Sequence, residues 1–375
     1  MNILQIHNEY LLKGGEDNVV EEEKQMLLKN GHNVFQIIRH NQKEIITIKD
    51  KISTLLNLSN SKKTKNIINE ELKNIPKIDI AHVHNIFPLW SYSIFEVLNE
   101  NKIPIVMTLH NYRLIWSKFN LLDKNIIKYS IFKNSRLITF LISKLIDKNR
   151  KLLNFVTKFI ALSKFANEKF VQEGIPSNKI IIKQNFLKKE IFDIQKIQDK
   201  DFIIYVSRLE KLKGINFLLN VWNDYDTKLK IFGEGPLLSK LKKKYNLNKN
   251  INFCGQQPAK IINNELNKSK FLIFPTEYYE NMPMTILQAF RSGTLVVASN
   301  IGSIKNIIND GYNGILFNPN DKQSLQDKIK WIFANNEKCN EITLNAFNDF
   351  HKNYTDVSNY NQLINIYNGT IEKLK

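Results

Sequence analysis

"FLIFPTEYYENMPMTILQAF", residues 271–290, changes character halfway along. The opening "FLIFP" is a continuous apolar run, as expected of a strand buried on both faces of a sheet. The closing "MTILQAF" has helical spacing, and Pro283 suits a first helical turn, where its missing N–H costs nothing. A polar loop with Glu280 and Asn281 joins the two halves, and Gln288 stands eight positions after Glu280. A buried strand, a polar loop and a helix make the repeating unit of a parallel α/β sheet. In such sheets the loops after the strands carry the ligand chemistry.

The same alternation runs outward in both directions. Further apolar runs are "FIIYVS" (202–207), "KLKIFG" (228–233), "INFCG" (251–255) and "TLVVAS" (294–299). Towards the start lie "ILQIH" (3–7), "VFQII" (34–38), "IDIAHVH" (78–84), "IPIVMTLH" (103–110) and "KFIAL" (158–162). Helical patterns fill the gaps, for example "EDNVVEEEKQMLLKNG" (16–31) with its terminal glycine. A charged, irregular stretch at 188–201 separates the two series. The pattern predicts an α/β protein of two doubly wound, Rossmann-like domains joined near residue 190, with facing ligand edges and a cleft between them.

A chain of 375 residues has room for two such cores. Cys254 and Cys339 make no metal or disulfide pattern, which fits a reducing cytosol. "MNILQIHNEY" lacks the basic start of a leader and reads as a first strand, and no apolar run is long enough to span a bilayer. The net charge of +18 points to an anionic partner such as lipid or phosphorylated small molecules; a solvated, lysine-rich surface is the alternative. Nucleic acid is not expected, because reader motifs are missing and aromatics rarely interleave with the basic residues.

Three loops carry candidate phosphate chemistry. "SRLEKLKG" (207–214) places Arg208 and Lys213 directly after a strand, a forked donor and a point charge suited to a diphosphate. Solvated surface cations are the other reading. "KGGEDNVV" (13–20) sets Gly14 and Gly15 before a helix N-terminus, where N–H groups and the helix dipole attract anions. "GEGP" (233–236), with Gly233 and Glu234, is a similar loop, and a plain turn is the alternative reading of both. In the opening stretch the N–H groups of Met284 and Thr285 face the ligand edge, Gln288 lies one turn further in, and Glu280 can accept from sugar hydroxyls or simply favour the helix dipole.

His82 and His84 share one face of a strand, but no third metal ligand stands near them in sequence, so packed histidines are expected rather than a metal site. His110 ends a strand and points to the cleft. Between Lys124 and Lys158 nine Lys/Arg and a single acid, Asp147, are threaded through Ile, Leu and Phe. That composition suits an amphipathic segment in an anionic membrane interface, with Lys128, Lys133, Arg136, Lys144, Lys148, Arg150 and Lys151 as contacts. A core-packed helix with snorkelling lysines is the alternative.

Taken in order, "YVSRLEKLKG", "LKIFGEGP", "INFCGQ", "FPTEYYENMPMTILQAFRSGTLVVASNIGS" and "IINDGYNGILF" resemble family 4 glycosyltransferases of the GT-B fold. "GGEDNVVEEEKQMLLKNGHNV", "AHVHNIFPLW", "VMTLHNYRLI" and "FIALSKFANEKFVQEGI" resemble its bacterial surface-polysaccharide members. The resemblance implies an acceptor-side domain over 1–190, a nucleotide-sugar domain over 191–355, and a terminal helix over 356–375 that crosses back to the first domain. It implies retaining transfer from a nucleotide-sugar, UDP- or GDP-linked, without metal or other cofactor, to a glycan or polyprenyl-phosphate-linked acceptor on the inner face of the cytoplasmic membrane. By the family pattern Arg208 and Lys213 hold the diphosphate, helped by Gly14, Gly15, Gly233, Glu234 and the segment Asn281, Met282, Pro283, Met284 and Thr285. Glu280 and His110 contact the donor sugar. The departure is Gln288, where the family has a second Glu on the ribose; an amide offers a different donor and acceptor set. A sugar-nucleotide-binding partner protein and a nucleotide-sugar epimerase of the same fold are the competing readings.

Overall fold

The computed structural model describes residues 1–9, 14–44, 61–112, 150–223 and 225–372. The chain divides into two compact units, Met1–Gln184 with Asn359–Lys375, and Asn185–Ser358. Each unit is built on a six-stranded sheet in which every pairing is parallel.

The first sheet holds β1 (Asn2–Glu9), β2 (Asn33–His40), β3 (Ile80–Val83), β4 (Ile105–Leu109), β5 (Lys158–Ala161) and β6 (Ile180–Ile182), in the order β2-β1-β3-β4-β5-β6. Strands β3 and β4 are buried at every position, which is why their sequences run apolar without alternation. The chain reverses direction of travel across the sheet between β1 and β3, the place where such sheets open a crevice. Leu4, Ile6, Ala81, Val83, Ile105 and Phe159 form the centre of its core with Phe95 and Phe170 from covering helices.

The second sheet holds β7 (Phe202–Val206), β8 (Lys228–Phe232), β9 (Ile251–Gly255), β10 (Phe271–Phe274), β11 (Leu295–Ser299) and β12 (Ile315–Phe317), in the order β12-β11-β10-β7-β8-β9. Its switch point lies between β7 and β10, paired through Leu272 and Ile204. Ile203, Tyr205, Ile231, Ile273 and Val297 fill its core against Leu218, Trp222 and Leu325 of the helices.

The ten apolar runs read from the sequence are all strands, and the reading needs one correction. The sheets have six strands each rather than five, because β6 and β12 are only three residues long and sit outermost. Three-residue strands give no periodicity to detect. Among the described residues no helix is long and apolar enough to cross a membrane. Lys128, Lys133, Arg136, Lys144 and Lys148 lie outside the described residues; Arg150 and Lys151 begin a short 3-10 segment, Arg150–Phe155.

Candidate active site

In the second unit, the loops after β7, β8 and β10 converge at the switch point because two glycines let their backbones touch. Gly214 has φ +71°, and a Cβ built there would stand 1.7 Å from the carbonyl oxygen of Pro275. Gly233 has φ +126°, and its Cβ would stand 2.0 Å from the carbonyl oxygen of Ser207. Only glycine combines that φ with that approach. The loop hydrogen bonds follow from the closeness: Glu277 N–H donates to Leu212 O at 2.9 Å, and Leu209 N–H donates to Glu234 O at 2.8 Å.

This convergence joins two residues that the sequence places far apart. Lys213 Nζ donates to Glu280 Oε1 at 2.6 Å and to the Tyr278 hydroxyl at 2.8 Å. The Tyr278 hydroxyl donates in turn to Glu280 Oε2 at 3.1 Å, and its ring lies under the ammonium at 4.8 Å. Burial alone would lower the Lys213 pKa, but the Glu280 carboxylate beside it more than offsets this and holds it above the ordinary lysine value. Burial, and then the same carboxylate, push the Tyr278 hydroxyl up to about 12. At neutral pH Lys213 is therefore an ammonium and Tyr278 a neutral phenol. Ser303 Oγ fixes the backbone by donating to Glu280 O at 2.7 Å.

Around the trio the other predicted residues fall unevenly. Arg208 is largely exposed, with its side chain 63% accessible and 3.6 Å from Glu210 Oε2, so its guanidinium remains open to an incoming anion. Glu234 is exposed at the mouth of the same loops. Asn281 and Met282 are buried, and Met282 Sδ accepts from Asn185 N–H at 3.1 Å. Pro283 is the residue before the helix Met284–Arg291 rather than its first turn, and it brings no side-chain cap. The first N–H groups of that helix belong to Met284 and Thr285, and Gln288 lies half-buried one turn on.

In the first unit, Gly14 precedes the helix Gly15–Lys29, as its sequence suggests, but its N–H is occupied: it donates to Asp17 Oδ2 at 2.7 Å. Asp17 Oδ1 lies 2.8 Å from His7 Nε2. A carboxylate at this turn competes with any phosphate for the same donors, and Gly15 is the exposed member of the glycine pair. Sequence reading misses this because Asp17 looks like one more surface acid.

Behind the first sheet's ligand edge lies a buried polar cluster. Glu23 Oε1 is 2.8 Å from His82 Nδ1 and 3.4 Å from His84 Nε2, and Glu23 Oε2 is 3.7 Å from Lys183 Nζ. His82 Nδ1 also meets the Tyr367 hydroxyl at 2.7 Å, and its Nε2 meets Thr108 Oγ1 at 2.7 Å. His84 Nδ1 lies 3.0 Å from His110 Nε2, the two rings stacked with centroids 5.3 Å apart. Glu23 supplies the third ligand-type group that sequence spacing did not show, and the three ligand atoms lie within 4.8 Å of one another. The donor set nevertheless fits a hydrogen-bonded network better than a metal. Both His82 nitrogens are engaged, and the buried Lys183 Nζ already stands 3.7 Å from the carboxylate.

The electrostatics of this cluster are set by burial. It raises the Glu23 pKa, but His82 and then His84 outweigh it and hold the carboxyl well below its ordinary range. Burial, with His82 next, drops His84 to about 3, and burial with His84 holds His110 well below the usual imidazole value. Both of these rings are neutral at pH 7.

The model for glycosyl transferases group 1 matches residues 188–349, and the model for glycosyltransferase family 4 matches residues 13–188. The chain belongs to glycosyltransferase family 4. Relatives of this family 4 enzyme include an uncharacterized glycosyltransferase of Methanocaldococcus jannaschii, 26% identical over 73% of this chain and 69% of that one. An uncharacterized 41.2 kDa protein in the cps region of Klebsiella pneumoniae is 24% identical over 72% of this chain and 75% of its own. Among solved structures, Anabaena HepE in complex with UDP-glucose superposes with a TM-score of 0.71 at 15% identity, covering 98% of this chain and 100% of that one. That likeness carries the fold, GT-B, and the family carries the activity class: the protein is a glycosyltransferase.

Proposed function

We propose that this family 4 glycosyltransferase moves a sugar from a UDP-sugar, with retention of anomeric configuration and without a metal ion, to a lipid-linked or glycan acceptor in bacterial surface-polysaccharide assembly. The observation that carries the reading is the Lys213–Glu280–Tyr278 trio at the switch point of the second sheet. A departing nucleoside diphosphate gains negative charge as the glycosidic bond breaks, and cations already in place stabilise that charge. Arg208, largely exposed, is the group free to fork onto the phosphates, and the first N–H groups of the helix Met284–Arg291 add a second anion site. Lys213 is held close by, paired with Glu280, which is placed to accept from sugar hydroxyls. With protein cations in these positions, a divalent ion is dispensable.

The choice of UDP draws on the UDP-glucose held by Anabaena HepE, and the polysaccharide context on the cps-region relative from Klebsiella. The basic and apolar sequence between Lys124 and Lys158 is read as the contact with an anionic membrane, placing the enzyme at the cytosolic face.

A donor screen tests the proposal. Purified protein with EDTA is offered UDP- and GDP-sugars, and nucleotide release is followed together with anomeric product analysis. Release from one UDP-sugar with an α-linked product from an α-linked donor supports it. Turnover only after adding Mg²⁺ or Mn²⁺ overturns the metal-independent part, and donor binding without turnover favours a sugar-nucleotide-binding partner. Liposomes of anionic and neutral lipid test the membrane contact, which salt should weaken.

A further inference from the structure

Among the described residues, His110 Nδ1 is a buried polar atom without a hydrogen-bond partner, at the end of a line that begins at Glu23. We propose that Glu23 and His84 are positioning residues that fix the tautomer of His110, so that its Nδ1 presents a bare lone pair and accepts a hydrogen bond from a substrate hydroxyl.

The protons along the line are ordered from the carboxylate outward. Two imidazoles meet at 3.0 Å, His84 Nδ1 against His110 Nε2, and two neutral rings make that contact only if one nitrogen donates and the other accepts. What chooses the direction is the far side of His84. Its Nε2 stands 3.4 Å from Glu23 Oε1, too long for a strong hydrogen bond but close enough for the carboxylate to set the sign. Glu23 is 1% exposed, and His82, with its Nδ1 2.8 Å from Glu23 Oε1, outweighs burial and holds the carboxyl well below its ordinary range, so it is an anion. In a buried site an N–H facing a carboxylate is attracted and a lone pair facing it is repelled, with little water to soften the difference. His84 therefore carries its proton on Nε2, its Nδ1 accepts, and His110 donates from Nε2. The only nitrogen left to His110 is an unprotonated Nδ1.

The surrounding packing keeps the line in place. His82 lies beside His84 with ring centroids 4.1 Å apart, and is itself pinned by Tyr367 and Thr108. The consequence is a chemical selection. A bare nitrogen at the ligand edge of the first sheet accepts from hydroxyl or amide N–H groups and repels phosphate or carboxylate oxygens. A sugar hydroxyl suits it and a diphosphate does not. This rests on the proposed UDP-sugar reading for the identity of the ligand, though the tautomer itself does not.

The closing experiment reads the tautomer directly, without substrate. The full-length protein is labelled with ¹⁵N-histidine, His110 is assigned by its disappearance in His110→Gln, and long-range ¹H–¹⁵N spectra report which nitrogen is protonated. The expected result is His110 with Nε2–H and bare Nδ1. In Glu23→Gln the side-chain amide can donate to His84 Nε2, which reverses the line and moves the His110 proton to Nδ1. With an active donor, the same variant should lose about tenfold or more in kcat while donor KM changes by less than about threefold, as expected for a misdirected side chain. Wild-type His110 carrying its proton on Nδ1 overturns the proposal, as does a folded Glu23→Gln that keeps the wild-type tautomer. Should Glu23→Gln fail to fold, the wild-type spectrum alone decides. If no UDP-sugar turns over, the proposed donor reading fails while the tautomer result stands.

Discussion

Lys213 Nζ lies 2.6 Å from Glu280 Oε1, and both side chains are largely shielded, with 15% and 11% of their surface accessible. They come from loops that follow different strands, β7 and β10, and they meet because Gly214 lets the first loop press on Pro275. A pair so covered has lost much of its hydration, so its members depend on one another.

That dependence predicts non-additive mutations. Lys213→Met should destabilise the protein by about 3 kcal/mol, because it leaves a covered carboxylate without its cation. Lys213→Met combined with Glu280→Gln should be less destabilised than the sum of the two single changes, by about 1–3 kcal/mol. Urea unfolding of the four proteins of the cycle at pH 7 checks this; strict additivity would mean the pair is not coupled.

Tyr278 was not singled out in the sequence, yet it bonds both members of the pair. Tyr278→Phe removes a hydroxyl that accepts from Lys213 and donates to Glu280 Oε2. The expected cost is about 1–2 kcal/mol in stability, from one hydrogen bond with a charged group on either side. Activity should fall more than donor affinity, because Glu280 then keeps Lys213 on Oε1 but loses the bond that orients Oε2. Comparing kcat and donor KM for Tyr278→Phe with the wild type decides it.

Gly214→Ala should be among the most damaging single-methyl changes in the second unit. The new Cβ would sit 1.7 Å from Pro275 O, and the backbone is left-handed there, so either the loop moves or the residue is strained. A loss of about 2–4 kcal/mol is expected, together with loss of donor binding. By contrast Gly31, with φ +79° and nothing within 4 Å of a built Cβ, should tolerate alanine with a loss nearer 1 kcal/mol. Thermal melts of both variants separate close approach from backbone strain alone.

The parts of this site that the sequence reveals are those carried by local order along the chain. Strand, polar loop and helix in "FLIFPTEYYENMPMTILQAF" place Glu280 at a ligand edge, and "YVS" before Arg208 does the same for the neighbouring loop. What the sequence hides is pairing across the sheet. Lys213 and Glu280 look like separate solvent-facing charges until the glycine contacts bring their loops together. Glu23 reads as one acid among three in "VEEEK", and only the helix's rotation turns it, rather than Glu21, inward onto His82. Lys183 is the hardest case, since a lysine after "III" at an outer strand carries no sign that it is 3% exposed. Asp17 shows the opposite failure: the glycine pair looked ready for an anion, but the acid three positions on had already taken the first N–H.

Gln288 gives a gain-of-affinity test. It lies half-buried in the helix Met284–Arg291, one turn beyond the proposed phosphate-binding N–H groups. An amide reaching a ribose diol offers one acceptor oxygen, whereas a carboxylate accepts from both hydroxyls with charge assistance. Gln288→Glu should tighten UDP-sugar binding by on the order of 1 kcal/mol, about fivefold in Kd. Titration calorimetry of both proteins with the donor found in the screen measures it. Weaker binding by the variant would mean that Gln288 does not face a diol.

The last prediction concerns pH and a lysine outside the active site. Burial, and then the nearby Lys270, lower Lys200 to about 8, and its ammonium donates to Gly293 O at 3.2 Å. The folded pKa lies below the ordinary lysine value of about 10.4, so between these two pH values the unfolded chain binds more protons than the native one. Stability from this residue therefore rises with pH across the window and is lowest below pH 8, where the native state holds a desolvated charge. The shift corresponds to on the order of 3 kcal/mol of penalty at pH 7, from which the hydrogen bond to Gly293 must be subtracted. Lys200→Met should thus be more stable than the wild type at pH 7 by about 1–2 kcal/mol, and the gap should close as pH approaches 10. Denaturation of both proteins at pH 7, 8.5 and 10 checks the sign. A gap that widens with pH would show that Lys200 is stabilised, rather than burdened, by its charge.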